Sequence, residues 1–131
     1  MNPFAITSIY AALCALLLLW LAWRVVELRR REKIGIGNGG NHALERRVRI
    51  HANAVEYVPI ALILLALVEA GGAPAWSVHA AGATLLVARL LHAWGLNGSA
   101  GHSIGRFWGV LLSWLAIAGL SLYLLLRPLL A

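Results

Sequence analysis

The feature that most constrains this sequence is a set of four long apolar stretches. Residues 4–23, 71–88 and 107–126 contain no charged side chain, and residues 44–68 are apolar except for a polar first half. A helix needs about 20 mainly apolar residues to cross the hydrocarbon core of a membrane. The pattern predicts an all-α fold, an integral membrane four-helix bundle with helices over residues 4–28, 43–69, 74–95 and 106–126.

The composition supports this class and a single domain over residues 1–131. The chain is 61% hydrophobic and 12% charged, whereas soluble domains are roughly 25% charged. A cleaved signal peptide is disfavoured, because no basic residue precedes Phe4 and the apolar run is longer than a typical signal core. The single cysteine, Cys14, lies within the first apolar stretch, so no disulfide framework is predicted.

The basic residues are unevenly distributed along the chain. Eight of the eleven Lys and Arg residues lie in or beside the first loop, at positions 24, 29, 30, 31, 33, 46, 47 and 49. Arg89 and Arg106 flank the third loop, and Arg127 alone lies on the opposite side. Because basic residues concentrate in cytoplasmic loops, loops 1 and 3 are predicted inside and both termini outside. The net charge of +6 therefore reflects topology, and no nucleic-acid partner is expected.

Three other function classes are disfavoured. The segment GIGNGGN at 35–41 satisfies G-x-G-x-x-G, but dinucleotide binding needs a preceding strand and a βαβ unit, so a turn is expected. A small four-helix exporter would carry an essential carboxylate in its first helix, and residues 4–23 contain none. His42 and His51 would lie on opposite faces of one helix, and no metal-ligand spacing occurs.

A polar stripe runs along one face of the second helix. At about 100° per residue, six polar residues share a face about 120° wide, while Arg47 and His51 point elsewhere. The six are Glu45, Arg46, Arg49, Asn53, Glu56 and Tyr57. Glu56 lies about 16 Å along the axis from Glu45, and an ionised group at the bilayer centre costs about 2.5–3.5 kcal/mol. The stripe must therefore face other helices or a water-filled pocket.

Two interpretations of the stripe remain open. An Arg49–Glu56 type of network could simply join helices, but interhelical polar contacts contribute only about 0.6 kcal/mol each, which poorly explains so many charges. A polar ligand site is favoured. Arginine suits carboxylates, glutamate suits an ammonium group and asparagine suits peptide groups, so a zwitterionic or anionic ligand with an amino-acid moiety is expected.

The second helix resembles the MAPEG family, the membrane-associated proteins in eicosanoid and glutathione metabolism. The family pattern is close to E-R-x-x-R-x-x-x-N-x-x-E-[YF]-x-P. This chain matches it at every element with Glu45, Arg46, Arg49, Asn53, Glu56, Tyr57 and Pro59. The short loops and the GNGGN turn resemble the small bacterial branch of the family.

The resemblance implies a homotrimer of four-helix subunits with glutathione bound as cosubstrate between neighbouring subunits, near the cytoplasmic side. It implies glutathione-binding roles for Arg49, Asn53, Glu56 and Tyr57, and a polar ligand contact for His51. A basic residue at the end of the first helix also contributes in relatives, and among Arg29, Arg30 and Arg31 we select Arg30.

The resemblance also implies a catalytic role for Arg106, which matches an arginine at the start of the fourth helix in the eicosanoid synthases. A thiol has a pKa of about 8.5, which a neighbouring guanidinium lowers, and a helix N-terminus favours an anion. The alternative is an interfacial arginine that only extends towards water.

The third helix departs from relatives that carry tyrosines near its end, where this chain has His92 and Leu96. His92 could hydrogen-bond a ligand, act on a proton or cap the helix. Arg89 could line the cleft or pair with Glu56 or Glu45.

The predicted function is a glutathione-dependent transferase or peroxidase of the bacterial inner membrane, acting on lipophilic electrophiles or lipid hydroperoxides through an arginine-stabilised thiolate. The alternative is a glutathione- or lipid-binding structural membrane protein with little catalytic activity. The expected partners are a second and third copy of the chain, glutathione, a lipophilic small molecule or lipid, and the membrane.

Overall fold

Four α-helices account for almost all of the residues that the structure describes. The structure is a computed structural model that describes residues 2–98 and 103–130. The helices are α1 (Ala5–Glu32), α2 (His42–Ala70), α3 (Ala75–Gly98) and α4 (Ile104–Leu130). The all-α four-helix prediction is confirmed. Each helix ends one to four residues later than predicted, and α4 begins two residues earlier, so loop 3 is shorter than expected. Residues 99–102 of this loop lie outside the described residues.

Loop 1 is held by contacts that also fix the ends of α1 and α2. Lys33 ends α1 in the left-handed conformation (φ 56°), and Arg29 Nη1 donates to the carbonyl oxygen of Gly37 at 2.8 Å. Asn41 caps α2, because its side-chain oxygen accepts from the backbone N–H of Leu44 at 3.0 Å. The predicted turn at 35–41 is therefore a helix-to-helix connection.

Three helices are long and apolar enough to cross a membrane within the described part of the chain, namely Ala5–Glu32, His42–Ala70 and Ile104–Leu129. Helix α3 is long enough but is not among these three. It carries His79, Arg89 and His92, and these polar side chains lower its hydropathy. Large apolar side chains face outward on all four helices, such as Leu16, 64% exposed, and Leu125, 69% exposed, as expected for surfaces that contact lipid.

Helices α2 and α3 form the centre of the bundle, with α1 packed on one side and α4 on the other. The core consists of three clusters stacked along the bundle axis. They contain Leu17, Leu21, Ile50, Ala54 and Ala93; Cys14, Val58, Ala61 and Leu85; and Leu65, Val68, Val78 and Leu120. Cys14 is a free, fully buried thiol.

Glycines bring α3 and α4 into backbone contact where α3 ends and α4 begins. A Cβ atom added at Gly95 would lie 2.4 Å from the backbone nitrogen of Arg106. One added at Gly105 would lie 2.8 Å from the carbonyl oxygen of Leu91, and one at Gly109 would lie 2.6 Å from the nitrogen of His92. Close backbone approach through small residues is the usual packing device of membrane helices. It determines where Arg106 lies relative to α3.

At the other end of the bundle, Glu69 of α2 holds the start of α1. Its two carboxylate oxygens accept from the backbone N–H groups of Ile6 and Thr7, both at 2.7 Å. These donors have no partner within α1 because they lie in its first turn. The negative charge also complements the helix dipole, so Glu69 fixes α1 against α2.

Candidate functional site

A polar cavity of about 670 Å³ lies between α2, α3 and α4, at the end of the bundle that carries loop 1. We call this end the basic end, because most of the arginines lie there. The cavity is lined by His42, Glu45, Arg46, Arg49, Asn53, His92, Arg106 and Val110. Residues from three helices, distant in sequence, therefore line one cavity.

The stripe on α2 contributes half of this lining. Glu45, Arg46, Arg49 and Asn53 line the cavity, as their shared helical face requires. Arg47 points away from it, as the periodicity predicted, and donates from Nη1 to the carbonyl oxygen of Arg24 at 2.6 Å and to Glu27 at 3.2 Å. The first four polar positions of the stripe thus face α3 and α4, whereas Arg47 joins α2 to α1.

Four other predicted ligand residues, Arg30, His51, Glu56 and Tyr57, lie outside the lining of the polar cavity. Glu56 and Arg30 are exposed and His51 is half-buried. Tyr57 accepts a hydrogen bond from Trp114 Nε1 at 3.0 Å. Its ring lies 5.3 Å from the Arg89 guanidinium carbon, a cation–π distance. The roles of Arg30, His51 and Glu56 remain predictions, and Tyr57 connects α2 to α3 and α4.

Arg106 occupies the third position of α4, and local capping holds it there. Ser103 precedes the helix and its hydroxyl oxygen accepts from the backbone N–H of Arg106 at 3.2 Å, which is the standard N-cap bond. Gly95 and Gly105 press this first turn against the end of α3. The guanidinium therefore emerges beside a helix N-terminus, where backbone N–H groups favour an anion.

Arg106 also borders a second, apolar cavity of about 310 Å³. Its lining comes from α4 and the residue before it: Ser103, Arg106, Phe107, Val110, Leu111 and Trp114. The two cavities share Arg106 and Val110. The Arg106 guanidinium thus lies at the boundary between the polar cavity and the apolar cavity.

Arg89 lies behind the polar cavity and is 1% exposed. Its Nη1 donates to Asn53 Oδ1 at 2.7 Å and its Nη2 donates to the carbonyl oxygen of Gly109 at 2.8 Å and to the hydroxyl of Ser113. The predicted pairing with Glu45 or Glu56 is absent among the described residues. Arg89 instead connects α3 to α2 and α4 through neutral acceptors.

His92 is 5% exposed and lies in the lining opposite the α2 stripe. It follows Arg89 by one helical turn, so both side chains lie on the face of α3 that meets α4. Burial against the cavity wall favours a hydrogen bond to a ligand over a helix cap. Its role in proton transfer remains a prediction.

The charges around the polar cavity are predominantly positive. Arg46, Arg49 and Arg106 line it together with one carboxylate, Glu45, which lies 3.5 Å from His42. Such a set fits a ligand with more than one anionic group and one cationic group. Among the described residues, no group of three His, Cys, Asp or Glu side chains could hold a metal ion.

Sequence reasoning missed the two features that assemble the site. The first is Gly105-x-x-x-Gly109 on α4, a small-residue spacing typical of closely packed membrane helices. The second is Ser103 as the cap of α4, since a serine three residues before Arg106 is a recognisable N-cap signal. His42 and Val110 of the lining could not be identified without the lateral arrangement of the helices.

Comparisons with known proteins agree with the geometry. The model of the MAPEG family matches residues 7–126. Inner membrane protein YecN from Escherichia coli strain K12 is 44% identical over 92 residues, which covers 70% of this chain and 70% of that protein, and YecN from E. coli O6:H1 strain CFT073 matches to the same extent. The resemblance noted in α2 is confirmed, and the chain belongs to the MAPEG family, the membrane-associated proteins in eicosanoid and glutathione metabolism.

Proposed function

We propose that this protein is a glutathione-dependent transferase or peroxidase of the inner membrane that acts on lipophilic electrophiles or lipid hydroperoxides. The observation that carries the proposal is the position of Arg106, which borders both the polar and the apolar cavity. A hydrophilic thiol and a lipophilic substrate could therefore meet beside one guanidinium.

The polar cavity suits glutathione in size and charge. Its volume of about 670 Å³ falls within the roughly 300–1,000 Å³ of small-molecule sites. Arg46 and Arg49 can bind the two carboxylates, Glu45 can bind the ammonium group, and Asn53 can bond a peptide or carboxylate group. Each polar group of the tripeptide thus has a partner of suitable chemistry.

Arg106 is the residue that would convert the bound thiol into a nucleophile. A guanidinium and a helix N-terminus both stabilise a nearby thiolate relative to the thiol. In transfer, the thiolate sulfur forms a bond to carbon and the leaving group departs with its electron pair. In peroxide reduction, the sulfur takes the distal oxygen, the O–O bond breaks, and the alkoxide is protonated to an alcohol. A second glutathione then displaces water from the sulfenic acid to give the disulfide.

The apolar cavity is the proposed entry for the second substrate. Phe107, Leu111 and Trp114 line it, and Phe107 and Trp114 are exposed on the surface of the isolated chain. A lipophilic molecule dissolved in the bilayer could reach this side of α4 without crossing water. Glutathione would enter from the basic end, which we assign to the cytoplasm on the positive-inside rule, with both termini outside.

We further propose that the active form is the homotrimer. Glu56 and Arg30 match or neighbour the family's ligand residues, yet both are exposed on the single chain. A neighbouring subunit that covers this face of α2 would bring them to a shared cleft. The same contact would remove Glu56 from lipid, where an ionised carboxylate is costly.

The test is a calorimetric glutathione titration of the purified protein in detergent, followed by turnover assays with chlorodinitrobenzene and with an organic hydroperoxide. Wild-type protein should bind glutathione and turn over at least one of the two substrates. Arg49→Ala should lose binding, while Arg127→Ala, an equal charge change at the opposite end, should not. Binding without turnover would overturn the enzymatic proposal in favour of a binding protein with little catalytic activity.

A further inference from the structure

Arg89 and Asn53 form a pair in which only one partner reaches the polar cavity. Asn53 belongs to the cavity lining, whereas Arg89 does not and is 1% exposed. The pair is joined by the 2.7 Å bond from Arg89 Nη1 to Asn53 Oδ1. Arg89 is itself fixed by its bonds to Gly109 and Ser113 of α4, so it cannot follow Asn53 if that side chain rotates.

The chemistry of the two groups decides which end of the amide faces Arg89. A guanidinium has donors and no acceptor, whereas an asparagine amide has one oxygen acceptor and one NH₂ donor. The atom of Asn53 that contacts Arg89 must therefore be the oxygen, Oδ1. The NH₂ group is left as the part of Asn53 that can serve a ligand.

We propose that Arg89 is a positioning residue that presents the amide NH₂ of Asn53 to the cavity as a hydrogen-bond donor. This inference rests on the proposed function, since it concerns how glutathione lies in the site. It also replaces the prediction that Arg89 touches the ligand directly. The buried positive charge behind the amide polarises it, and hydrogen bonds are strengthened by such polarisation in a low-dielectric interior.

The consequence is a restriction on the ligand atom that lies against Asn53. That atom must be an acceptor, either a carboxylate oxygen or a peptide carbonyl, and it cannot belong to an ammonium group. Glutathione has carboxylates at both ends but a single ammonium group, beside one of them. Within the lining of the polar cavity, the carboxylate that can bind the ammonium is Glu45, which lies two helical turns from Asn53 on α2. Asn53 thus helps to set the direction of the tripeptide in the cavity.

The first test compares two substitutions at position 53 by glutathione titration. Asn53→Ala removes the donor and should weaken affinity about 10–100-fold, the loss expected for one hydrogen bond to a charged group. Asn53→Asp presents an oxygen and a negative charge to the ligand acceptor, so affinity should fall at least another tenfold. The same variant gives Arg89 an ionic partner, so its apparent melting temperature should match or exceed that of wild type. Asn2→Asp is the matched control, because Asn2 is exposed at the opposite end and accepts from Phe4 through Oδ1, which aspartate retains.

The second test examines the Arg89–Asn53 bond without ligand. Melting temperatures are measured for Asn53→Ala, Arg89→Met and the double variant. If the bond exists, the double variant should lose less than the sum of the two single losses, since either change already breaks the bond. Arg89→Lys retains a donor and should preserve more glutathione affinity than Arg89→Met. Should Arg89→Met fail to fold, Arg89→Lys and the position 53 variants still provide the comparison.

The outcomes separate this inference from the proposed function. If wild type binds glutathione and Asn53→Asp binds as tightly as Asn53→Ala or more so, the donor role of Asn53 is overturned while the proposed function stands. If wild type does not bind glutathione, the proposed function fails and the ligand orientation fails with it. In either case, additive losses of melting temperature would overturn the positioning role of Arg89.

Discussion

The contact between α3 and α4 makes a strong prediction at Gly109. Replacing Gly109 with alanine would place a Cβ atom 2.6 Å from the nitrogen of His92 and 2.7 Å from the carbonyl oxygen of Ala88. Both neighbours are helix backbone and cannot move aside singly. The helices must separate by about 0.8 Å to reach the 3.4 Å at which ordinary contact begins.

That separation has two energetic consequences. Overpacking of this kind costs about 1–3 kcal/mol. The bond from Arg89 Nη2 to the Gly109 carbonyl, now 2.8 Å, would lengthen to about 3.6 Å, beyond hydrogen-bond range, and lose about 1.5–3 kcal/mol. Alanine regains about 1 kcal/mol of helix propensity. The expected net loss is about 1.5–5 kcal/mol.

The assay is thermal unfolding in detergent, followed by circular dichroism, with a glutathione titration on the same sample. Gly119→Ala is the matched control on the same helix, because its Cβ atom would meet nothing within 4 Å. Helix propensity alone should leave the stability of this variant equal to that of wild type or slightly higher. Gly109→Ala should melt about 6 °C or more below wild type, at about 4 °C per kcal/mol, and bind glutathione more weakly. Equal melting temperatures for the two variants would refute the backbone contact between α3 and α4.

Three further substitutions test separate parts of the account. Arg49→Ala should weaken glutathione binding by about 10–100-fold, because a charge-assisted bond is lost. In the same titration, Arg127→Ala should retain wild-type affinity. Equal affinities of Arg49→Ala and wild type would show that Arg49 is not part of the site. Ser103→Ala removes the cap of α4 and should lower stability by about 1 kcal/mol in thermal unfolding, and no change would mean that the cap is irrelevant. Glu69→Gln should cost about 0.5–2 kcal/mol, because a neutral amide holds the start of α1 less well than the carboxylate. Glu32→Gln is the control, because it alters only an exposed ion pair with Arg31 and should leave stability unchanged. A similar loss of stability in Glu69→Gln and Glu32→Gln would show a general effect of charge and would contradict the specific role of Glu69.

The all-α fold could be predicted from sequence because charge-free stretches of membrane-spanning length admit few alternatives. The α2 stripe was equally accessible, since Glu45, Arg46, Arg49 and Asn53 share a face by helical periodicity and line the cavity. The family resemblance followed from the same spacing. Position along a helix and direction around it are properties of local sequence.

The partners across the bundle could not be predicted, because periodicity does not state which helix lies opposite. Arg89 was expected to line the cleft or to pair with a glutamate, and instead it bonds Asn53 and α4. The close packing of α3 on α4 at Gly95, Gly105 and Gly109 likewise depends on which helices are neighbours. Glu56 illustrates a further limit: it shares the stripe but is exposed on one chain, so its function depends on what covers that face.

The central claim is that Arg106 activates a bound glutathione thiol. The most direct measurement is the ultraviolet absorbance of the thiolate as a function of pH, with saturating glutathione on wild type and on Arg106→Ala. The account predicts that wild type holds the thiolate at neutral pH, below the ordinary thiol pKa of about 8.5, whereas Arg106→Ala still binds but forms the thiolate only at higher pH. Identical titration curves for the two proteins would contradict the claim.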